Sequence, residues 1–128
     1  MRASRILPVL GLLIAGIINL LPVPGVLGRA WLQSLYGFDV GMPDLEILLR
    51  HRAVLFGIVG ILLLVSIFWV ELRLLSAVIG VASMASFLII AAIVGGYGQA
   101  IGRVVVADIV GVLALVPVFV WRKPVVVD

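Results

Sequence analysis

Apolar residues run almost without interruption through four stretches of this chain, and the polar residues collect between them. The stretches cover about Ile6 to Leu21, Leu45 to Val70, Leu74 to Val94 and Val104 to Trp121. Each is near the roughly 20 residues that a helix needs to cross about 30 Å of hydrocarbon. Backbone inside a bilayer must satisfy its own hydrogen bonds, which leaves helices or closed barrels. Barrel strands would alternate apolar and polar residues, and these runs do not. The pattern predicts an all-α fold, a four-helix transmembrane bundle forming a single integral membrane domain over residues 1–128.

The connections carry their own signals. The first stretch extends through Pro22-Val23-Pro24 toward Leu27, after which Leu27, Trp31 and Leu35 recur at helical spacing while Arg29 and Gln33 fall elsewhere on the wheel. This predicts a short amphipathic helix over residues 28–36, lying in the membrane interface and stopped by Gly37. Pro43 and Asp44 then start the second membrane helix. Glu71-Leu72-Arg73 is too short for anything but a tight antiparallel hairpin, and Gly95-Gly96-Tyr97-Gly98 breaks helix three from helix four. Arg2 and Arg5 ahead of an apolar run also fit a signal peptide. No small-x-small cleavage pattern follows and Pro22 and Pro24 occupy the region, so a retained helix is expected.

Each helix carries a stripe of small residues: Gly11 and Ala15; Ala53, Gly57 and Gly60; Ser76, Gly80 and Ser83; Ala107, Gly111 and Ala114. Membrane helices associate where small residues let backbones approach, so the stripes predict the packing faces and leave Ile, Leu, Val and Phe for lipid.

Composition agrees with the pattern. The chain is 65% apolar and 12% charged with a mean hydropathy of +1.41, against about half and a quarter for soluble domains. A lipid bilayer is the expected surrounding. The absence of cysteine removes disulfide, thiolate and iron–sulfur chemistry together. The net charge of +3 comes without a basic run interleaved with aromatics, so nucleic acid is not an expected partner. With both termini in the cytoplasm, Arg2, Arg5, Arg73, Arg122 and Lys123 fall inside, and Arg29, Arg50, Arg52 and Arg103 fall outside. If Arg50 and Arg52 belong to the helix body, the comparison becomes five against two. The positive-inside rule then favours a multi-pass bacterial inner-membrane protein with both termini cytoplasmic.

Charges near membrane depth are costly and therefore informative. Glu46 and Arg50 are spaced for a helical ion pair, acid first. On the wheel, Arg50 lies within about 50° of the small-residue stripe of its helix, so it is expected toward the bundle, whereas His51 and Arg52 are expected to snorkel to headgroups. Asp108 has only Val104, Val105, Gly111 and Val112 at helical neighbour positions, so its partner must come from elsewhere. Arg50 or Arg52 is the expected partner. Asn19 continues the first stripe toward the same leaflet, and Tyr97, Gln99 and Arg103 sit in the connection above it. The residues Asn19, Glu46, Arg50, His51, Arg52, Tyr97, Gln99, Arg103 and Asp108 are thus expected to form one polar cluster in the outer half of the bundle. Its bland interpretation is a structural ion pair that sets helix register; its sharper one is a binding or conduction site. Catalytic and metal roles lack support, because His51 between two arginines has no nucleophile or ligand at a diagnostic spacing. The Gly95-Gly96-Tyr97-Gly98 turn lacks the Lys and Ser/Thr of a phosphate cradle. No motif names a cofactor.

The layout of a first helix, Tyr36-Gly37, then Leu48-Leu49-Arg50-His51-Arg52-Ala53-Val54-Leu55-Phe56-Gly57-Ile58-Val59-Gly60 and two further helices resembles the small DoxX-like bacterial membrane proteins over most of the chain. That resemblance implies a four-helix bundle and, for some members, association with quinone-linked oxidation. Small multidrug exporters place a Glu in the first helix, where this chain has only Asn19, and the Thr/Ser-Phe signature of fluoride channels is poorly matched by Ser83-Met84-Ala85-Ser86-Phe87. Two functions are expected. The first is a non-catalytic membrane subunit or scaffold that packs as a homo-oligomer or in a larger membrane complex. The alternative is a binding protein for a lipid, quinone or similar amphiphile, accessory to a membrane oxidoreductase.

Overall fold

The apolar stretches are helices in the computed structural model, which describes residues 2–122; Lys123, counted above toward orientation, lies outside them. The elements are α1 (Ala3–Leu20), α2 (Arg29–Tyr36), α3 (Pro43–Phe68), α4 (Arg73–Val94) and α5 (Gln99–Val120), with 3₁₀ turns at Val23–Leu27 and Val70–Leu72. Among the described residues there is no strand. Four segments, Ala3–Leu27, Pro43–Val65, Val70–Val94 and Gln99–Val120, are long and apolar enough to cross a membrane, with mean hydropathies of 2.0 to 2.6. Only 22–33% of each is buried inside the bundle, so their outward faces are apolar and require lipid.

Local chemistry explains the boundaries. Pro22 has no N–H to continue α1, and the chain passes into the 3₁₀ turn. The αL conformation that ends α2 is supplied by Gly37 at φ +72°, and Pro43 opens α3 as expected. At the α3–α4 hairpin Arg73 donates from Nε to the Ser66 carbonyl at 3.1 Å and from Nη2 to the Ile67 carbonyl at 2.8 Å, covering carbonyls that the end of α3 leaves free. Helix α5 starts at Gln99, earlier than the expected Val104. Gly95 and Gly96 turn the chain at φ +62° and +66°, and polar Gln99 and Arg103 are tolerated because the first turn lies at the helix entrance.

The membrane helices form a ring in which α1 packs on α3 and α5, and α4 closes the far side against both. Lipid tails are as apolar as side chains, so this association depends on close fit. A Cβ at Gly11 would strike the Ala114 carbonyl of α5. At Gly60 it would meet Leu20 Cγ at 2.8 Å and the Gly16 carbonyl at 3.0 Å, and at Gly80 it would crowd Leu115 and Leu63. The small-residue stripes thus lie at the helix contacts. Leu12, Ala15, Leu63, Ala77, Met84, Leu115 and Val118 fill the interior between them.

Helix α2 departs from the expected orientation. Its inward face is Leu32 and Tyr36, which with Val40 pack on Leu45, Leu49, Ile101 and Val104, while Trp31 and Leu27 point outward at 51% and 70% exposure. The apolar stripe read at Leu27, Trp31 and Leu35 is one edge of a wider apolar surface. The other edge docks on α3 and α5, and so α2 and the segment after it roof one end of the bundle.

Candidate functional site

Under that roof the polar residues divide into three groups instead of one cluster. The outermost is a clamp: Arg29 Nε donates to Glu46 Oε2 at 2.7 Å, and Arg50 donates from Nη1 to Glu46 Oε1 at 3.4 Å and from Nε to the Val26 carbonyl at 2.9 Å. This joins α2, the 3₁₀ turn and α3. Both arginines are about half exposed, so solvent screens each pair, and the clamp serves mainly to orient the roof. The expected partnership of Arg50 with Asp108 is not formed. Arg50 does sit over the Ala53, Gly57 and Gly60 stripe, but α1 has ended at that level and the turn above it offers a backbone carbonyl.

The second group is a solvent-side hollow of about 350 Å³ lined by Ser34, Tyr36, Gly37, Gly98, Gln99, Ala100 and Arg103. Gln99, Arg103 and Tyr97 are all exposed. His51 is exposed too, and no group of three metal-ligating side chains occurs among the described residues.

The third group is buried at Asn19 and Asp108 and half-buried at Arg52. Arg52 and Asp108 each lie nine residues into their helices, counted from Pro43 and Gln99, or about 13 Å along the axis at ~1.5 Å per residue. Asp108 is 4% exposed and its Oδ2 has no hydrogen-bond partner among the described residues. Asn19, 1% exposed, donates from Nδ2 to the Ala15 carbonyl at 2.8 Å and reaches Met84 Sδ at 3.7 Å, while its Oδ1 also lacks a partner. Met84 in turn lies against Gly111, one turn of α5 from Asp108. Arg52 turns inward, contrary to the snorkelling expected for it. Its guanidinium carbon lies 4.8 Å from the ring centres of Phe56 and Phe87 and 5.6 Å from that of Tyr36. Asp108 is within electrostatic reach of both Arg52 and Tyr36 but forms no ion pair with Arg52. The π faces of three rings hold the guanidinium instead. Burial pushes the Tyr36 hydroxyl above its ordinary value, against the lowering effect of Arg52 and with the support of Asp108.

A groove of about 250 Å³ leads away from this layer between α3 and α4. Arg52 stands at its head, and Leu55, Phe56, Val59, Ser83, Ser86, Phe87 and Ile90 line it. Leu55 and Ile90 are 48% and 60% exposed, so the groove opens sideways onto the surface that faces lipid. Tyr36, Phe56 and Phe87 are members of this site that the polar pattern missed. Phe87 sits opposite Arg52 only because the α3–α4 hairpin brings their turns to one level.

Comparison of the chain with protein-family models, with curated proteins and with solved structures found no match.

Proposed function

We propose that this multi-pass membrane protein binds an amphiphile in the groove between α3 and α4, with the polar head at Arg52 and the apolar tail along Leu55, Val59 and Ile90. One observation carries the reading. A half-buried guanidinium without a hydrogen bond among the described residues lines an apolar groove that opens toward lipid. Small-molecule sites combine an apolar wall with a few fixed polar groups, and this groove has that composition. A scaffold would need no such arrangement, so the binding reading ranks ahead of the subunit reading, in which the chain packs as a homo-oligomer or in a larger complex.

Membership among DoxX-like proteins, residence in the bacterial inner membrane with both termini cytoplasmic, and an interfacial position for α2 belong to the same proposal. The outward Trp31 supports the last of these, since indole favours the membrane interface. The inclusion of Arg50 and Arg52 in α3 supports the orientation, because it leaves Arg29 and Arg103 as the outer basic residues. Extraction in mild detergent followed by mass spectrometry of the copurifying molecules tests the function. A retained amphiphile that Arg52→Gln releases supports it. A stoichiometric protein partner with no retained small molecule would restore the scaffold reading.

A further inference from the structure

We infer that the groove selects a single-chain amphiphile with a carboxylate head, a fatty-acid anion, and that Arg52 is the residue that recognises it; this rests on the binding function proposed above. The argument starts from what surrounds the guanidinium. Phe56, Phe87 and Tyr36 present rings to it, and rings supply π density but no acceptor for its N–H groups. No carbonyl or carboxylate among the described residues accepts a hydrogen bond from Arg52, in contrast to Arg29, Arg50 and Arg73, each of which has one. A planar fork of free donors held by aromatic contacts matches an oxyanion, which can accept two of them side by side. The charge requirement is the same. Asp108 reaches Arg52 only through space, so the cation retains capacity for a counter-ion in contact.

Depth and size narrow the head and tail. Helix α5, of 22 residues, is about 33 Å long, close to the thickness of the hydrocarbon. The Arg52 layer, about 13 Å in from the helix entrances, therefore lies well below the level at which a bilayer phospholipid holds its phosphate. A small head can descend to it, whereas a phosphate tethered to glycerol and two chains cannot. The groove is confined between α3 and α4 and takes one alkyl segment, with the remainder of the chain leaving sideways past Leu55 and Ile90. Asp108 sets the opposing influence: its negative charge within electrostatic reach of Arg52 weakens the hold on an anion.

The test is binding of hexadecanoate, compared with hexadecanol, to the full-length protein in zwitterionic lipid nanodiscs. Hexadecanoate is expected to bind at least about tenfold more tightly than the alcohol, and Arg52→Gln to weaken it roughly ten- to a hundredfold, the range for hydrogen bonds to a charged group. Arg52→Lys, which keeps the charge without the planar fork, is expected to fall between. Asp108→Asn is expected to tighten hexadecanoate about tenfold, the scale of one unit charge at several ångströms in a medium of moderate dielectric. A gain of binding cannot come from misfolding. Equal binding of acid and alcohol, both insensitive to Arg52→Gln, would overturn the carboxylate assignment while leaving an amphiphile site in place. Absence of binding by either would remove both. Displacement of hexadecanoate by phosphatidylglycerol in the disc would replace the single-chain acid with a bilayer phosphate.

Discussion

Replacing Gly11 with Ala reverses the usual consequence of that substitution. Within a helix, Gly→Ala ordinarily gains about 1 kcal/mol of propensity. At Gly11, however, the added carbon would be driven into the Ala114 carbonyl oxygen, a backbone atom of a helix that packs along most of α1. No rotamer change can relieve such a contact. The helices must separate, and overpacking of this kind costs about 1–3 kcal/mol. Because neither side of the contact is a flexible side chain, the upper end applies, and subtraction of the propensity gain leaves a net loss of ~2 kcal/mol. Gly57→Ala is the control. Its added carbon would lie 3.4 Å from the Val23 Cγ2 methyl, an ordinary contact, so the variant is expected to be neutral or slightly stabilised. Reversible unfolding in mixed detergent micelles, followed by circular dichroism, measures both. A Gly11→Ala variant as stable as Gly57→Ala would refute the close approach of α1 and α5 on which the bundle depends.

In double-mutant cycles on stability, Asp108→Asn and Arg50→Gln are expected to add, while Asp108→Asn and Arg52→Gln couple by about 0.6 kcal/mol, the average for polar pairs in membrane bundles, and by no more than about 1.7; stronger coupling to Arg50 would contradict the geometry. With Trp69 and Trp121 changed to Phe, Trp31 fluorescence should be quenched more by probes at the headgroups than by probes at acyl-chain ends, and deep quenching would remove α2 from the interface. Reporters fused before Met1 and after Asp128 should both read as cytoplasmic, and a C-terminus outside would overturn the orientation.

The bundle itself was legible in the sequence because membrane spanning is a one-dimensional constraint. Length and unbroken apolarity are enough to place α1, α3, α4 and α5, and backbone chemistry alone marks the end of α2 at Gly37 and the start of α3 at Pro43. Small-residue stripes also identified contact faces, since Gly11, Gly60 and Gly80 all lie where helices meet. The site was less legible. The spacing leaves Asp108 without a partner on its own helix, but a helical wheel does not say which helix ends at which level. Arg50 points toward the face expected of it and finds the Val26 carbonyl, because α1 has already ended. Arg52, assigned by the wheel to the lipid side, lies instead at the α3–α4 contact, where Phe56 and Phe87 can hold a cation. That arrangement combines residues 31 positions apart in Phe56 and Phe87, and no periodicity within one helix reveals it. Tyr36 was hidden for a related reason: its role arises from the docking of α2 on α3 and α5 and not from the amphipathicity of α2 alone.

Photolabelling with a fatty acid that carries a diazirine on its chain tests the groove most directly. In nanodiscs, adducts mapped by peptide mass spectrometry should concentrate on Leu55, Val59 and Ile90, and they should fall away with excess hexadecanoate or in Arg52→Gln. Adducts spread evenly over the outward faces of all four membrane helices, unchanged by competitor and by the loss of Arg52, would contradict a binding site between α3 and α4.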